Sequence, residues 1–275
     1  MTTTIRPTQP LQHDADGTRS RAYDVCVNRH RVGLVRIATM PRYGSGVGTI
    51  RALRIDQAER RKGRGAIAVL AAEEVLREWG CTQVTVTIPA DAEAGSRLYT
   101  ALGYRERSRN MRKQLAAAPP ELRAADHPRP MTDTEFATWQ RVELEEYTQD
   151  WIDRGLAPEQ ARAKAEADDL ELLPDGQATP DTWFRMLEHG GTPVGHIWVA
   201  HRNSSGAYVY DVKVEPAYRG HGHGRALMLV AERLAHIAGA STLGLHVFAG
   251  NTPAIRLYES LGYEVTQYSR YKVLA

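Results

Sequence analysis

"YRGHGHGRAL", residues 218–227, sets three glycines among histidines and arginines directly ahead of an apolar run with helical spacing. Nearly the same skeleton stands far upstream in "ERRKGRGAIA", residues 59–68. Aligning Arg60 with Arg219 gives an offset of 159 residues. The same offset pairs Gly63 with Gly222, Gly65 with Gly224, Gly80 with Gly239, and "RLYTALGY" (97–104) with "RLYESLGY" (256–263). No gap is needed from Leu53/Val212 to Tyr104/Tyr263, so the chain carries an internal duplication rather than two chance glycine runs.

Upstream the register drifts. "VGLVRI" (32–37) answers "VGHIWV" (194–199) at an offset of 162, while "IRPT" (5–8) answers "PRPM" (128–131) at 123. The second copy therefore holds 39 further residues between its first and second strands. That insertion is predicted to be helical. Thr132 and Glu135 form a capping box, Phe136, Trp139, Val142, Tyr147 and Trp151 follow at near-helical spacing, and Gly155 stops the run. A second helix starts near Pro158 and ends before Pro174. The copies are expected at 1–115 and 128–275. Residues 116–127, rich in proline and alanine without apolar periodicity, form the linker, whose last residues enter a short strand.

Both copies otherwise share one order of elements. Two β-runs ("AYDVCV" then "VGLVRIA"; "TWFRMLE" then "PVGHIWVA") precede a third ("GTIRALRI"; "AYVYDVKV"), which leads through a short acidic turn into the glycines. An amphipathic helix follows, with Leu227, Val230, Leu234 and Ile237 at spacings of three and four before Gly239. Such a strand-to-helix turn exposes consecutive N–H groups at a helix N-terminus and suits a phosphate or pyrophosphate. Arg219, Arg225, Arg60, Lys62 and Arg64 can neutralise further phosphate charge. The turn has no G-K-[ST], and no acidic residue follows on the next strand, so neither a P-loop nor a dinucleotide fold fits.

Composition narrows the classes. The 275 residues are 42% hydrophobic, enough for two folded domains with real cores. A net charge of +2 gives no whole-molecule field for nucleic acid, and the run Arg60–Arg64 lacks interleaved aromatics. Two cysteines, Cys26 and Cys81, fit a reducing cytoplasm rather than a disulfide framework. The N-terminus has no apolar leader, and no stretch is long enough for a membrane span. His221 and His223, between the glycines, are expected to face solvent, and no metal site is expected because no carboxylate or cysteine stands at ligand spacing.

The turn R-x-x-G-x-G, followed about thirty residues later by "NTPAIRLYESLGY", resembles the GNAT superfamily of N-acyltransferases, strongly over 206–263 and more loosely over 47–104. The resemblance implies an α/β fold of two tandem GNAT-like domains. Each would be a mixed, mostly antiparallel twisted sheet flanked by helices, with the N-terminal copy lacking the first helical segment. It implies acetyl-CoA as acyl donor, held by Val212 and Val214 on the strand and by Arg219, Gly220, His221, Gly222, His223, Gly224 and Arg225 in the turn, with Asn251 beyond. The first copy's counterparts are Arg60, Lys62, Gly63, Arg64, Gly65 and Ala66. Tyr258 is then the acid that protonates the departing thiolate, since an ordinary tyrosine stays protonated at neutral pH. Asp211 is the first candidate for the base that takes the acceptor's proton, and His246 the second.

The copies are not equivalent. Where the second has Asn251 and Asp211, the first has Ala92 and Ala52, although it keeps Tyr99. The expected reaction is acetyl transfer to the primary amine of a small molecule by residues 131–275, with residues 1–115 stabilising the fold, covering the cleft or binding acyl-CoA. Nucleic acid and membrane are not expected partners. A tandem chain with one degenerate copy also resembles the mycothiol synthase branch, which acetylates the cysteinyl amine of a sugar-containing thiol precursor, and protein lysine is a further acceptor choice. The rival from another class is an acyl-CoA-binding sensor without catalysis.

Overall fold

A computed structural model describes residues 2–44, 46–153, 156–201 and 206–274. Gly155, the expected stop of the first inserted helix, lies outside these. The chain divides into two compact units. One comprises Met1–Ser108 with Gln267–Ala275, the other Arg109–Thr266.

In the first unit, β1 (Thr3–Pro7), β3 (Arg19–Val27), β4 (His30–Thr39) and β5 (Val47–Ile55) pair antiparallel in that order, and β2 (Gln12–His13) adds to β3. Among the described residues no helix lies between β1 and β3, as expected of a copy without the inserted segment. Helix α1 (Arg64–Glu78) crosses to β6 (Gln83–Pro89), which runs parallel to β5, and α2 (Glu93–Ala101) follows. The strand that closes this sheet comes from the far end of the chain. Gln267–Val273, within β13 (Glu264–Val273), pairs antiparallel with all of β6. Leu274 joins the core of Val25, Val35, Ile37, Leu76 and Val84.

In the second unit the order is β8 (Asp126–Pro130), β9 (Thr182–His189), β10 (Thr192–His201), β11 (Ala207–Val214), β12 (Thr242–Phe248) and the Arg109–Gln114 part of β7 (Arg105–Gln114). Only β11 and β12 are parallel within β8–β12. The closing strand here is the end of the first sequence copy, so each copy's last strand completes the unit that holds the other copy's helices. Lys113 accordingly pairs with Glu232 and Lys272 with Glu73, each at 2.7 Å and each at the 159-residue offset of the other.

The inserted segment forms α3 (Asp133–Asp153) and α4 (Pro158–Leu172). The capping box closes as expected, Thr132 N–H donating to Glu135 Oε2 at 2.8 Å and Glu135 N–H to Thr132 Oγ1 at 3.3 Å. Helix α5 (His223–Ile237) packs Leu227, Val230 and Leu234 against one face of the sheet together with Ile255 and Tyr258 of α6 (Thr252–Ser260). Ile237, expected on that stripe, is 75% exposed because it falls in the last turn, beyond the sheet's reach. On the other face, α3 contributes Phe136 and Trp139 to a cluster with Phe184 and Trp198.

Candidate active site

The glycines of the second turn divide their work. Gly220 (φ 81°) and Gly222 (φ 83°) hold left-handed backbone, which a β-carbon would strain by about 1–2 kcal/mol, and Gly222 caps α5. Gly224 is closely approached, since a Cβ there would lie 3.2 Å from the Leu257 side chain of α6. Arg219 Nε donates to the Val214 carbonyl at 3.1 Å and ties the turn to the end of β11, as Arg60 does to Ile55 at 2.8 Å. The free N–H groups of the first turn of α5 open beside these cations, an arrangement that favours anions.

His221 is exposed as expected, but His223 is not: burial leaves it 4% exposed. Arg123, from the linker, explains why. Its guanidinium donates to both oxygens of buried Asp126 (2.7 and 3.0 Å) and to the His221 carbonyl (3.1 Å), and it lies 3.2 Å from His223 Nδ1. His189 Nδ1 meets Asp126 Oδ1 at 2.8 Å. Asp126, His189 and His223 present three ligand atoms within 4.8 Å of one another, a grouping that spacing along the chain does not reveal. The Arg123 guanidinium already serves two of these three groups as their cation. Burial works against the charge of Asp126, yet the bonds from Arg123 and His189 hold its carboxyl below the usual range.

Next to the turn, β11 and β12 part. Their pairing runs only from Ala207↔Leu243 to Val209↔Leu245. At that point the β10–β11 register jumps from Val199↔Val209 to Trp198↔Asp211, leaving Tyr210 as the extra residue of a β-bulge. The first unit repeats the break between Arg36 and Ile37, with Arg51 left over. A bulge interrupts the ladder and re-aims side chains, and here it stands where the two strands part.

Asp211 stands one residue beyond the bulge. Its Oδ2 accepts from Trp139 Nε1 of α3 at 3.0 Å and lies 3.0 Å from His196 Nε2. One turn farther along α3, Glu143 is half-buried. Burial first, then the charges of Asp211 and Glu146, push it up to about 7. One further turn on, Glu146 accepts from Lys213 at 3.0 Å. Tyr258 on α6 is 6% exposed, and burial followed by the charge of Asp211 pushes its hydroxyl up to about 12. His246, the second base candidate, is exposed, with its ring 5.0 Å from Phe248. Asn251 caps α6, its Oδ1 accepting from Ala254 N–H at 3.2 Å, and Ala92 in the first copy makes no such bond.

The first unit keeps a cleft of about 480 Å³ at its own turn, lined by Leu53, Ile55, Arg60, Gly63, Arg97 and Leu98 among others. Its cations are less available for phosphate than the sequence implied. Arg64 is buried, donating to Thr3 Oγ1 at 3.0 Å and lying 3.5 Å from Glu59, and Lys62 donates to Glu59 at 3.0 Å. The second copy has Tyr218 where Glu59 stands. Tyr99 is buried and raised by that burial, with Glu73 adding to the rise.

The profile of the acetyltransferase (GNAT) family matches residues 3–104 and 136–263. A Bacillus subtilis protein described as uncharacterized N-acetyltransferase YycN is 29% identical over 143 residues, covering 50% of this chain and 91% of its own. A mycothiol acetyltransferase of Mycolicibacterium vanbaalenii is 29% identical over 234 residues, covering 81% of this chain and 73% of its own. The solved structure of a tandem GNAT protein from the clavulanic acid biosynthesis pathway superposes with a TM-score of 0.51 at 20% identity, over 95% of this chain and 85% of that one, and attests the fold alone.

Proposed function

Given that this chain belongs to the acetyltransferase (GNAT) family, and is therefore an acyltransferase, we propose that residues 128–275 transfer an acetyl group from acetyl-CoA to the primary amine of a small molecule. The observation that carries this reading is the parting of β11 and β12 at the Tyr210 bulge, with the glycine turn beside it and Asp211 and Tyr258 on the elements that border it. The turn and the start of α5 bind the pyrophosphate through backbone N–H groups, aided by Arg219 and Arg225. The β11 backbone from Val212 to Val214 pairs with the pantetheine arm, which brings the thioester to the mouth of the parting strands.

The amine attacks the thioester carbonyl directly. A C–N bond forms, the C–S bond breaks, Asp211 takes a proton from nitrogen, and Tyr258 delivers one to the sulfur. A hydroxyl pushed up to about 12 remains protonated throughout the neutral range, as an acid for a thiolate must. Aligning amine and thioester supplies much of the rate, and backbone N–H groups polarise the carbonyl.

The first copy, in this reading, binds acyl-CoA without reacting. Its cleft of about 480 Å³ supports binding, while Ala52 in place of Asp211 removes the base. The relative named mycothiol acetyltransferase favours a small-molecule acceptor over protein lysine. Thiol release from acetyl-CoA with a panel of primary amines tests the proposal. Turnover that persists in Tyr258→Phe at the wild-type kcat overturns the role of Tyr258, and donor binding without turnover on any amine overturns the reading of residues 128–275.

A further inference from the structure

Helix α3 lies along β11 on the acceptor side, and two contacts fix its rotation. Trp139 Nε1 bonds Asp211 at 3.0 Å, and Glu146 bonds Lys213 at 3.0 Å. Glu143 is one turn past the first residue and one turn before the second, so it faces the stretch of β11 between Asp211 and Lys213. Trp139 and Glu146 each spend a polar group on β11. Glu143 does not: among the described residues no hydrogen bond engages its carboxylate. The charges that reach it are Asp211 and Lys213 from β11, His196 from β10 and Glu146 from its own helix. On α4, Asp169 bonds Gln140 and Asp168 bonds Tyr147, while Arg162 pairs with Glu166 and Lys164 with Asp168. Cross-strand from Asp211, Trp198 keeps a buried indole N–H with no partner among the described residues.

Asp211, Glu143 and Glu146 against the single ammonium of Lys213 make this face anionic. A half-buried carboxylate with no partner beside a second one is unfavourable in the free protein, and a bound cation relieves it. Building on the acyl-transfer reading, we propose that Glu143 seats the acceptor's ammonium group opposite Asp211, takes its first proton, and restricts acceptors to primary amines that carry no carboxylate next to the amine. The steps balance. R–NH3+ gives one proton to Glu143, the neutral amine attacks, Asp211 takes the second proton from nitrogen, and Tyr258 protonates the thiolate. Tyr258 regains its proton from the carboxylates, so one proton per turnover leaves to solvent. An amino acid brings its own carboxylate beside Asp211, Glu143 and Glu146, where Lys213 is the one ammonium among the described residues, and this disfavours it.

The experiment uses the full chain and matched pairs of acceptors that differ only by the carboxylate: tyramine against tyrosine, and tryptamine against tryptophan. The wild type is expected to favour the decarboxylated member of each pair at least tenfold in kcat/KM. Glu143→Gln loses more than tenfold on the amine, narrows the preference, and no longer shows the rise in kcat/KM through about pH 7, while Glu143→Asp recovers part of each. Acetyl-CoA affinity, measured on the same samples, stays at the wild-type value, and a cooperative thermal transition shows that the variant is folded. Equal kcat/KM and an unchanged pH profile in Glu143→Gln, no preference within the pairs, or no turnover of any of the four acceptors overturns the inference. If the wild type neither binds acetyl-CoA nor releases thiol with any amine, the acyl-transfer reading fails with it. Turnover that is lost in Tyr258→Phe but untouched in Glu143→Gln leaves that reading standing and removes only this one.

Discussion

Lys113 Nζ lies 2.7 Å from Glu232 Oε1, joining a strand written at the end of the first sequence copy to the helix that begins at the second copy's glycine turn. The carboxylate is nearly sealed from solvent, its side chain 6% exposed, whereas the lysine side chain is 21% exposed. Removing the lysine therefore strands a buried charge. Lys113→Met is expected to cost about 2–3 kcal/mol in urea unfolding, and Lys113→Met with Glu232→Met to recover most of it. A loss below 0.5 kcal/mol in the single variant contradicts the account.

The same exchange predicts the fate of fragments. A chain of residues 1–115 lacks Gln267–Val273, the strand that covers the whole of β6, and leaves that edge open. It is expected to aggregate or unfold when expressed alone, and to become soluble when a 264–275 segment is fused through a flexible linker. Size-exclusion chromatography distinguishes the two outcomes.

Tyr258 and Tyr99 occupy equivalent positions and are both buried. Tyr258→Phe is expected to lower kcat roughly 100-fold, the usual scale for losing a general acid, with little change in acetyl-CoA affinity. Tyr99→Phe is expected to leave kcat within twofold, since no carboxylate stands at Ala52 to take an acceptor's proton. Equal losses in steady-state assays count against a single reacting copy.

Glu143 titrates in the opposite sense to a paired carboxylate. Its value in the folded state, about 7, lies above its ordinary value of 4.5, so the native protein holds this proton more tightly than the unfolded chain. The resulting stability is fully present below about pH 4.5 and is lost as pH rises through about 7. In Glu143→Gln that component is absent, and the variant's thermal midpoint is expected to fall less than the wild type's between pH 5 and pH 8. Parallel midpoint curves for the two proteins contradict this.

Arg123 ties the linker to the second glycine turn. Arg123→Met is expected to cost about 2 kcal/mol, because buried Asp126 keeps only His189, and to raise the KM for acetyl-CoA several-fold by freeing the His221 carbonyl. Adding Asp126→Asn should restore stability but not KM. Recovery of both together shows that the turn does not depend on Arg123.

The glycine register made the duplication, the strand order and the inserted helices legible, because φ above zero and a capping box each demand particular residues at fixed places. The strand exchange was hidden by the symmetry of the repeat itself. Lys113 and Lys272 stand at the same position of their copies, as do Glu73 and Glu232, so the chain reads identically whichever lysine meets whichever glutamate. Glu143 was hidden differently. It sits in a run with Glu145, Glu146 and Asp150, which the sequence alone does not tell apart, and the bonds of Trp139 and Glu146 to β11 show that Glu143 lies on the covered side. His223 looked like a solvated turn residue because the residue that buries it, Arg123, lies a hundred positions away. Asn251 was read from its place in the family's pattern, and the structure adds a local task, capping α6.

Reciprocal closing strands also set how such a gene can change. If the first copy does not react, as proposed, it is free to drift at Ala52, Ala92 and the cations of its turn, but residues 109–114 belong to the unit proposed to react and stay under its constraint. Deleting residues 1–115 would remove the closing strand of the unit that holds the second copy's helices, so the duplication, once exchanged in this way, has no simple route back to a single domain.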